Sequence, residues 1–166
     1  MTRDLRATAR TINTSLRQTS WSHIVTSTDD AWYGPFLTRL ALLTAGEELV
    51  IATGRFDQED GGSYAGTVQI LTTTRAIVGT VAGVGSEDPT ETAAYAFARS
   101  TIVDVSVDAT VSPFVDPGFH DWPGAVRVTA RYAGGHTLAF PCDPDNRIER
   151  ANAFELLPDL LGDLAG

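Results

Sequence analysis

Lysine is absent from this chain: all twelve of its basic residues are arginine. Without lysine there is no Walker A phosphate loop, although glycines cluster at Gly61-Gly62, Gly79 to Gly85 and Gly134-Gly135. Arginine codons are GC-rich, so the bias points to a high-GC bacterial genome, for which an actinobacterium is the natural fit. Cysteine is down to one residue, Cys142, which excludes an internal disulfide and any multi-cysteine metal site. No stretch of about eighteen apolar residues occurs, so no membrane-spanning helix is expected. The first residues, MTRDLRATARTINTS, have no apolar h-region, which argues against a secretory signal and for a cytoplasmic location. The chain also lacks a G-x-S-x-G elbow and an H-E-x-x-H motif.

Positive charge is scarce overall. The formal net charge is −9, which argues against a general nucleic-acid binder, since such proteins need cations to neutralise phosphates. What positive charge there is concentrates early, with Arg3, Arg6, Arg10 and Arg17 set against one acid, Asp4, in the first 20 residues. The apolar content of 43% over 166 residues is that of a globular chain with enough material for a proper core.

The hydropathy pattern divides the chain into short elements. Residues 3–18 can form a helix, with Leu5, Ala9, Ile12 and Leu16 in one stripe and the arginines largely off it. A loop-like stretch with Trp21, Trp32 and Tyr33 follows, then a short core-facing helix at 36–44 that ends near Gly46. A strand is expected over 47–56 and a turn at Asp57–Ser63. From Gly66 to Val84, GTVQILTTTRAIVGTVAGV alternates on both sides of a Thr-Thr-Thr-Arg corner and reads as an antiparallel hairpin. A polar loop at 83–94, with a turn at Asp88-Pro89-Thr90, leads to strands expected at 95–97 and 102–107. The second places Val103, Val105 and Val107 on a buried face and Asp104, Ser106 and Asp108 on a wet one. Residues 109–124 form a long excursion with three prolines. A strand over 125–132 and a last one around Leu138 and Phe140 complete the set. At the end Asp143 can cap a helix with Pro144 in its first turn. Phe154, Leu157, Leu161 and Leu164 form a stripe to lay on a sheet, and Pro158 should kink or restart the helix.

The hairpin residues Leu71, Thr72, Arg75, Ile77 and Val78, with Gly46-Glu47 ahead of the first strand, resemble the early hairpin and "GE" pair of bacterial PH-like domains, a group with GRAM-like members. That resemblance implies an α+β, mainly β fold: a bent antiparallel sheet pair or half-open barrel of about seven strands, closed by the C-terminal helix. The chain would then divide into a helical N-terminal extension, 1–35, and a PH-like domain, 36–166. PH-like domains are mostly binding scaffolds whose inter-strand loops carry the contacts, so the resemblance implies an adaptor and no enzyme.

The candidate chemistry points the same way. His23, His120 and His136 lack a second ligand at helical spacing, and neither a metal nor another cofactor is expected. Cys142 reads as a small hydrophobe, and Arg127 and Arg131 as cross-strand partners of Asp104 and Asp108. The best binding element is the loop around Phe114, Phe119 and Trp122, stiffened by Pro113, Pro117 and Pro123; the alternative is that these aromatics fold back as a satellite core. Arg3, Arg6, Arg10, Trp21 and Trp32 form a candidate N-terminal interaction set. The expected partner is another protein, engaged through loops or a sheet edge, and a basic one given the acidic body. Two alternatives are peripheral membrane association through the basic helix and a small ligand held in a barrel cavity.

Overall fold

The computed structural model describes residues 4–22, 31–88, 90–114, 118 and 122–166, with backbone only at 147–148 and 150–152. The chain forms two compact units, Met1–Ala98 and Arg99–Gly166. The first holds α1 (Leu5–Leu16), α2 (Tyr33–Leu43) and the strands β1 (Leu49–Gln58), β2 (Tyr64–Thr72), β3 (Arg75–Val84) and β4 (Glu91–Ala98). These strands make one antiparallel meander in the order β1-β2-β3-β4. The hairpin turns where the Thr-Arg corner sits, with Leu71 opposite Ala76 and Ile70 opposite Ile77. Opposite residues share a face, so Val68, Ile70, Ile77 and Val81 meet in one core.

Helix α1 forms despite its threonines and serine because their hydroxyls bond back to carbonyls one turn earlier. Thr11 donates to Ala7, Thr14 to Arg10 and Ser15 to Thr11. Asp4 caps the helix by accepting from the Arg6 N–H at 2.9 Å. Ile12 and Leu16 of the expected stripe are fully buried, joined by Thr8, while Leu5 and Ala9 are partly covered.

Trp21 occupies the centre of this core. Its ring stacks on Phe36 with centroids 5.9 Å apart and lies 5.0 Å from Phe56. Two glycines make the space. A Cβ on Gly54 would sit 2.7 Å from the indole nitrogen, and one on Gly66 would sit 2.6 Å from the far edge of the ring. The indole N–H is shared between the carbonyls of Arg55, at 3.1 Å, and Thr67, at 3.3 Å, on paired strands. Gly79 does the same for α2, since a Cβ there would meet Phe36 at 2.7 Å and Leu40 at 2.8 Å. Residues expected in an extension, 1–35, therefore supply Ile12, Leu16, Trp21 and Tyr33 to the core of the first unit. The unit boundary falls at Ala98, inside the stretch expected as one domain, 36–166.

The second unit begins with a 3-10 turn, Arg99–Thr101, and holds β5 (Ile102–Ala109), β6 (Val126–Tyr132), β7 (Thr137–Phe140) and the helix α3 (Arg147–Ala165). Its sheet is again antiparallel, in the order β5-β6-β7. β6 alternates as its sequence dictates, with Val126, Val128, Ala130 and Tyr132 buried. The expected ion pair forms between Arg131 and Asp104 across the β5–β6 ladder, and the register sets Asp108 opposite Arg127.

Four expectations for this unit are corrected. The valine face of β5 is not a buried face: Val103 is 57% exposed and Val107 is open too, because β5 is the edge of the sheet. Alternation tells which residues share a side, not how far a covering helix reaches. Among the described residues of α3 the buried apolar positions are Ala153, Leu156 and Leu160, whereas Phe154, Leu161 and Leu164 are about half exposed. Both stripes obey helical spacing in a helix apolar over a broad arc, and only packing chooses between them. The helix also starts later than expected. Asn146, not Asp143, accepts from the Glu149 N–H, while Asp143 accepts from the Asp145 N–H in the preceding turn. The helix then runs on through Pro158 without interruption.

The fold is thus α+β and mainly sheet, with a four-stranded and a three-stranded antiparallel sheet, a C-terminal helix and no closed barrel. Among the described residues, no helix is long and apolar enough to cross a membrane.

Candidate functional site

The connection from β5 to β6 has a closed base. At the base the Val111 N–H donates to the Pro123 carbonyl at 3.2 Å, and the Ala125 N–H donates to the Thr110 hydroxyl at 3.0 Å. Gly124 makes this closure possible. It has φ +77°, and a Cβ there would lie 2.3 Å from the Val111 side chain. Nearer the tip, the Phe114 N–H donates to the Ser112 hydroxyl at 3.2 Å, a local turn that turns Phe114 outward. Phe114 is 95% exposed and Trp122 is 61% exposed. Neither has folded back into a satellite core. Phe119 lies outside the described residues. With Val103 and Val107 on the adjoining edge strand, two aromatics and two aliphatics stand uncovered on this loop and its flanking edge. Surface residues of that size in one loop and its flanking edge are what recognition sites use.

The N-terminal candidates separate into two sets. Trp21, expected in an interaction surface, is a core residue with no exposed area. Trp32 is half-buried against the same core, its ring 6.3 Å from that of Trp21 and 6.2 Å from that of Phe36. Arg6 and Arg10 are exposed and line a groove between α1 and α2, while Arg3 lies outside the described residues. The apolar stripe of α1 faces the core, so it is not available to insert into a bilayer. At the floor of the groove the Tyr33 hydroxyl donates to the Asn13 side-chain oxygen at 2.8 Å. Burial pushes the Tyr33 phenol well above its usual range, with Arg17 pulling weakly the other way.

His23 and His120 lie outside the described residues, and His136 sits half-buried after the Gly134-Gly135 turn. The described residues hold no group of three or more His, Cys, Asp or Glu placed to bind a metal. Cys142 is buried.

The motif residues Glu47, Thr72 and Arg75, far apart in the pattern, converge at the β2–β3 corner. The Glu47 carboxylate accepts from the Thr72 hydroxyl at 2.6 Å, and from the Thr74 hydroxyl and N–H at 2.7 and 2.9 Å. Arg75 pairs with the same carboxylate and reaches the Thr44 carbonyl at 3.3 Å. This cluster ties the end of α2 to the hairpin, which is a structural role. Partial burial disfavours the charge, but the hydrogen bonds from Thr72 and Thr74 and the Arg75 guanidinium outweigh it and hold the carboxyl below its ordinary value. A lowered folded-state pKa contributes stability above the unfolded value and loses it as pH falls through the folded one. Glu47→Gln is therefore expected to cost about 1–2 kcal/mol near neutrality. Urea midpoints measured on both proteins should converge as pH drops below about 4. A gap that stays constant to acid pH would show that the carboxylate charge is not what holds the corner.

No family model, no curated protein and no solved structure matches this chain. Its function is argued from its own geometry.

Proposed function

We propose that this chain is a PH-like binding module without enzymatic activity, and that it docks another protein through the β5–β6 loop. The observation that carries this reading is the exposure of Phe114 and Trp122 on a loop whose base is pinned by hydrogen bonds and Gly124. Rigid, exposed aromatics lose little entropy on contact and dominate interface energetics where they are found. The element order supports the PH-like part of the proposal. Seven strands in two antiparallel sheets followed by a final helix match the number and order of elements that the resemblance implies. The overall charge of −9 favours a basic partner and disfavours anionic lipid or nucleic acid.

The test compares the tagged wild-type chain with Phe114→Ser/Trp122→Ser in pull-downs from total lysate of the native host, membranes included. One stoichiometric protein should be retained by the wild type and lost by the variant, with unfolding midpoints unchanged because both side chains are exposed. Against the purified partner, the loss should reach about 2 kcal/mol or more, roughly thirtyfold in Kd. Equal retention by both proteins, or retention of membrane material alone, would rule the loop out as the docking element.

A further inference from the structure

The groove between α1 and α2 lies on the first unit and has no part in the loop reading. It encloses about 270 Å³ and runs along successive turns of both helices. Its rim carries Arg6 and Arg10, one helical turn apart on α1 and both exposed. Neither guanidinium has a hydrogen-bond or ion-pair partner among the described residues. In a chain with 21 acids against twelve arginines, Arg6 and Arg10 give this rim a local positive charge. Between the helices Ala9 and Leu37 supply an apolar part of the floor over the buried Tyr33 ring, beside the Tyr33–Asn13 hydrogen bond. Gly34, on the α2 side, leaves open space where a side chain would stand, with no atom within 4 Å of an added Cβ.

We propose that this groove receives an acidic peptide segment of a partner protein, with an apolar side chain on Ala9 and Leu37 and carboxylates on Arg6 and Arg10. Guanidinium groups match carboxylates in planar, charge-assisted pairs, which supplies the orientation. The trench shape favours a peptide over a membrane, because a side chain reaches the floor and a flat headgroup layer does not. Two arginines also fall short of the clusters of roughly four to eight cations that hold a segment to anionic lipid.

The test uses the 15N-labelled full chain titrated with the capped peptide Glu-Glu-Leu-Leu-Glu-Glu-Leu. Its counterpart with lysine for glutamate and vesicles of phosphatidylglycerol serve as the other arms. Saturable amide shifts are expected at Ala9, Arg10, Gly34 and Leu37 with the acidic peptide only. Affinity should fall about tenfold or more in Arg6→Gln/Arg10→Gln and fall with added salt. Gly34→Glu is a second variant that keeps the question open to refutation if the first loses stability. Its side chain enters open space in the first turn of α2, where a carboxylate is favourable, and would occupy the arginines in place of the peptide. It should bind no peptide while remaining folded. Shifts with both peptides or with neither, shifts elsewhere, binding unchanged in either variant, or binding to vesicles alone would each overturn the proposal. Because the loop and the groove lie on different units, failure at one surface is distinguishable from failure at the other.

Discussion

Trp21→Ala is expected to destabilise the first unit by about 3–5 kcal/mol, the range for truncating a buried aromatic. Three features put it there. The side chain has no exposed area, so the whole ring is transferred back to water on unfolding. Its neighbours cannot collapse into the void, because two walls are Gly54 and Gly66, which have no side chain to move. The carbonyls of Arg55 and Thr67 lose a donor inside a paired ladder, where water is not readily admitted. A domain's total stability is only about 5–15 kcal/mol, so this one change removes a large share of it. Urea unfolding followed by far-UV circular dichroism measures the loss, and the fluorescence of Trp32 and Trp122 remains available in the variant. Trp21→Phe should recover the ring contacts with Phe36 and Phe56 without the hydrogen bonds, and lie between the two. A cost below about 1 kcal/mol for the alanine variant would mean that the core is not organised around this ring.

The Trp21 site shows where the sequence was readable and where it was not. Local periodicity located the β2–β3 hairpin and its corner, the alternation of β6, and the helix at each end of the chain, because each depends on residues close together along the chain. Trp21 sits in a polar, loop-like stretch with no period of its own. What makes it core is a pair of glycines more than thirty positions away, and glycine in a strand carries no sign of which ring it makes room for. The same limit explains the division at Ala98. β4 and β5 are similar short runs, and nothing local says that one closes the first sheet while the other opens the second.

The candidate binding surfaces were legible to different degrees for a related reason. Prolines and aromatics in a long connection mark a candidate binding loop, and Phe114 and Trp122 stand exposed on it. The groove was only half visible. Arg6 and Arg10 stood out as cations in an acidic chain, yet Asn13, Tyr33, Gly34 and Leu37 line it only because α1 packs on α2. Assigning Trp21 to a surface failed for the opposite reason: the aromatic content of a segment does not say whether its rings face water or each other.

Asp163→Asn is expected to cost the second unit about 3–5 kcal/mol, because it breaks an ion pair with a buried guanidinium. Arg99, in the 3-10 turn before β5, is 7% exposed and meets the Asp163 carboxylate, itself 19% exposed, at 2.7 Å. Asp163 lies near the C-terminal end of α3, where the helix dipole disfavours an anion, so the carboxylate depends on Arg99 as much as Arg99 depends on it. Replacing both partners by apolar residues removes the stranded charge along with the pair. Arg99→Met/Asp163→Leu should therefore be more stable than either single change to a neutral residue, a result opposite to simple additivity. Tyr132 supplies a second readout. Burial first, and the nearby Asp163 charge second, push its phenol up to about 12, while Arg99 pulls it down. Removing the carboxylate leaves burial in place, so tyrosinate formation, followed by ultraviolet absorbance, should move to lower pH in Asp163→Asn without reaching the ordinary value. If Asp163→Asn instead costs under about 0.5 kcal/mol, the pair behaves as an exposed one. The docking of α3 on its sheet would then rest on apolar residues such as Ala153, Leu156 and Leu160.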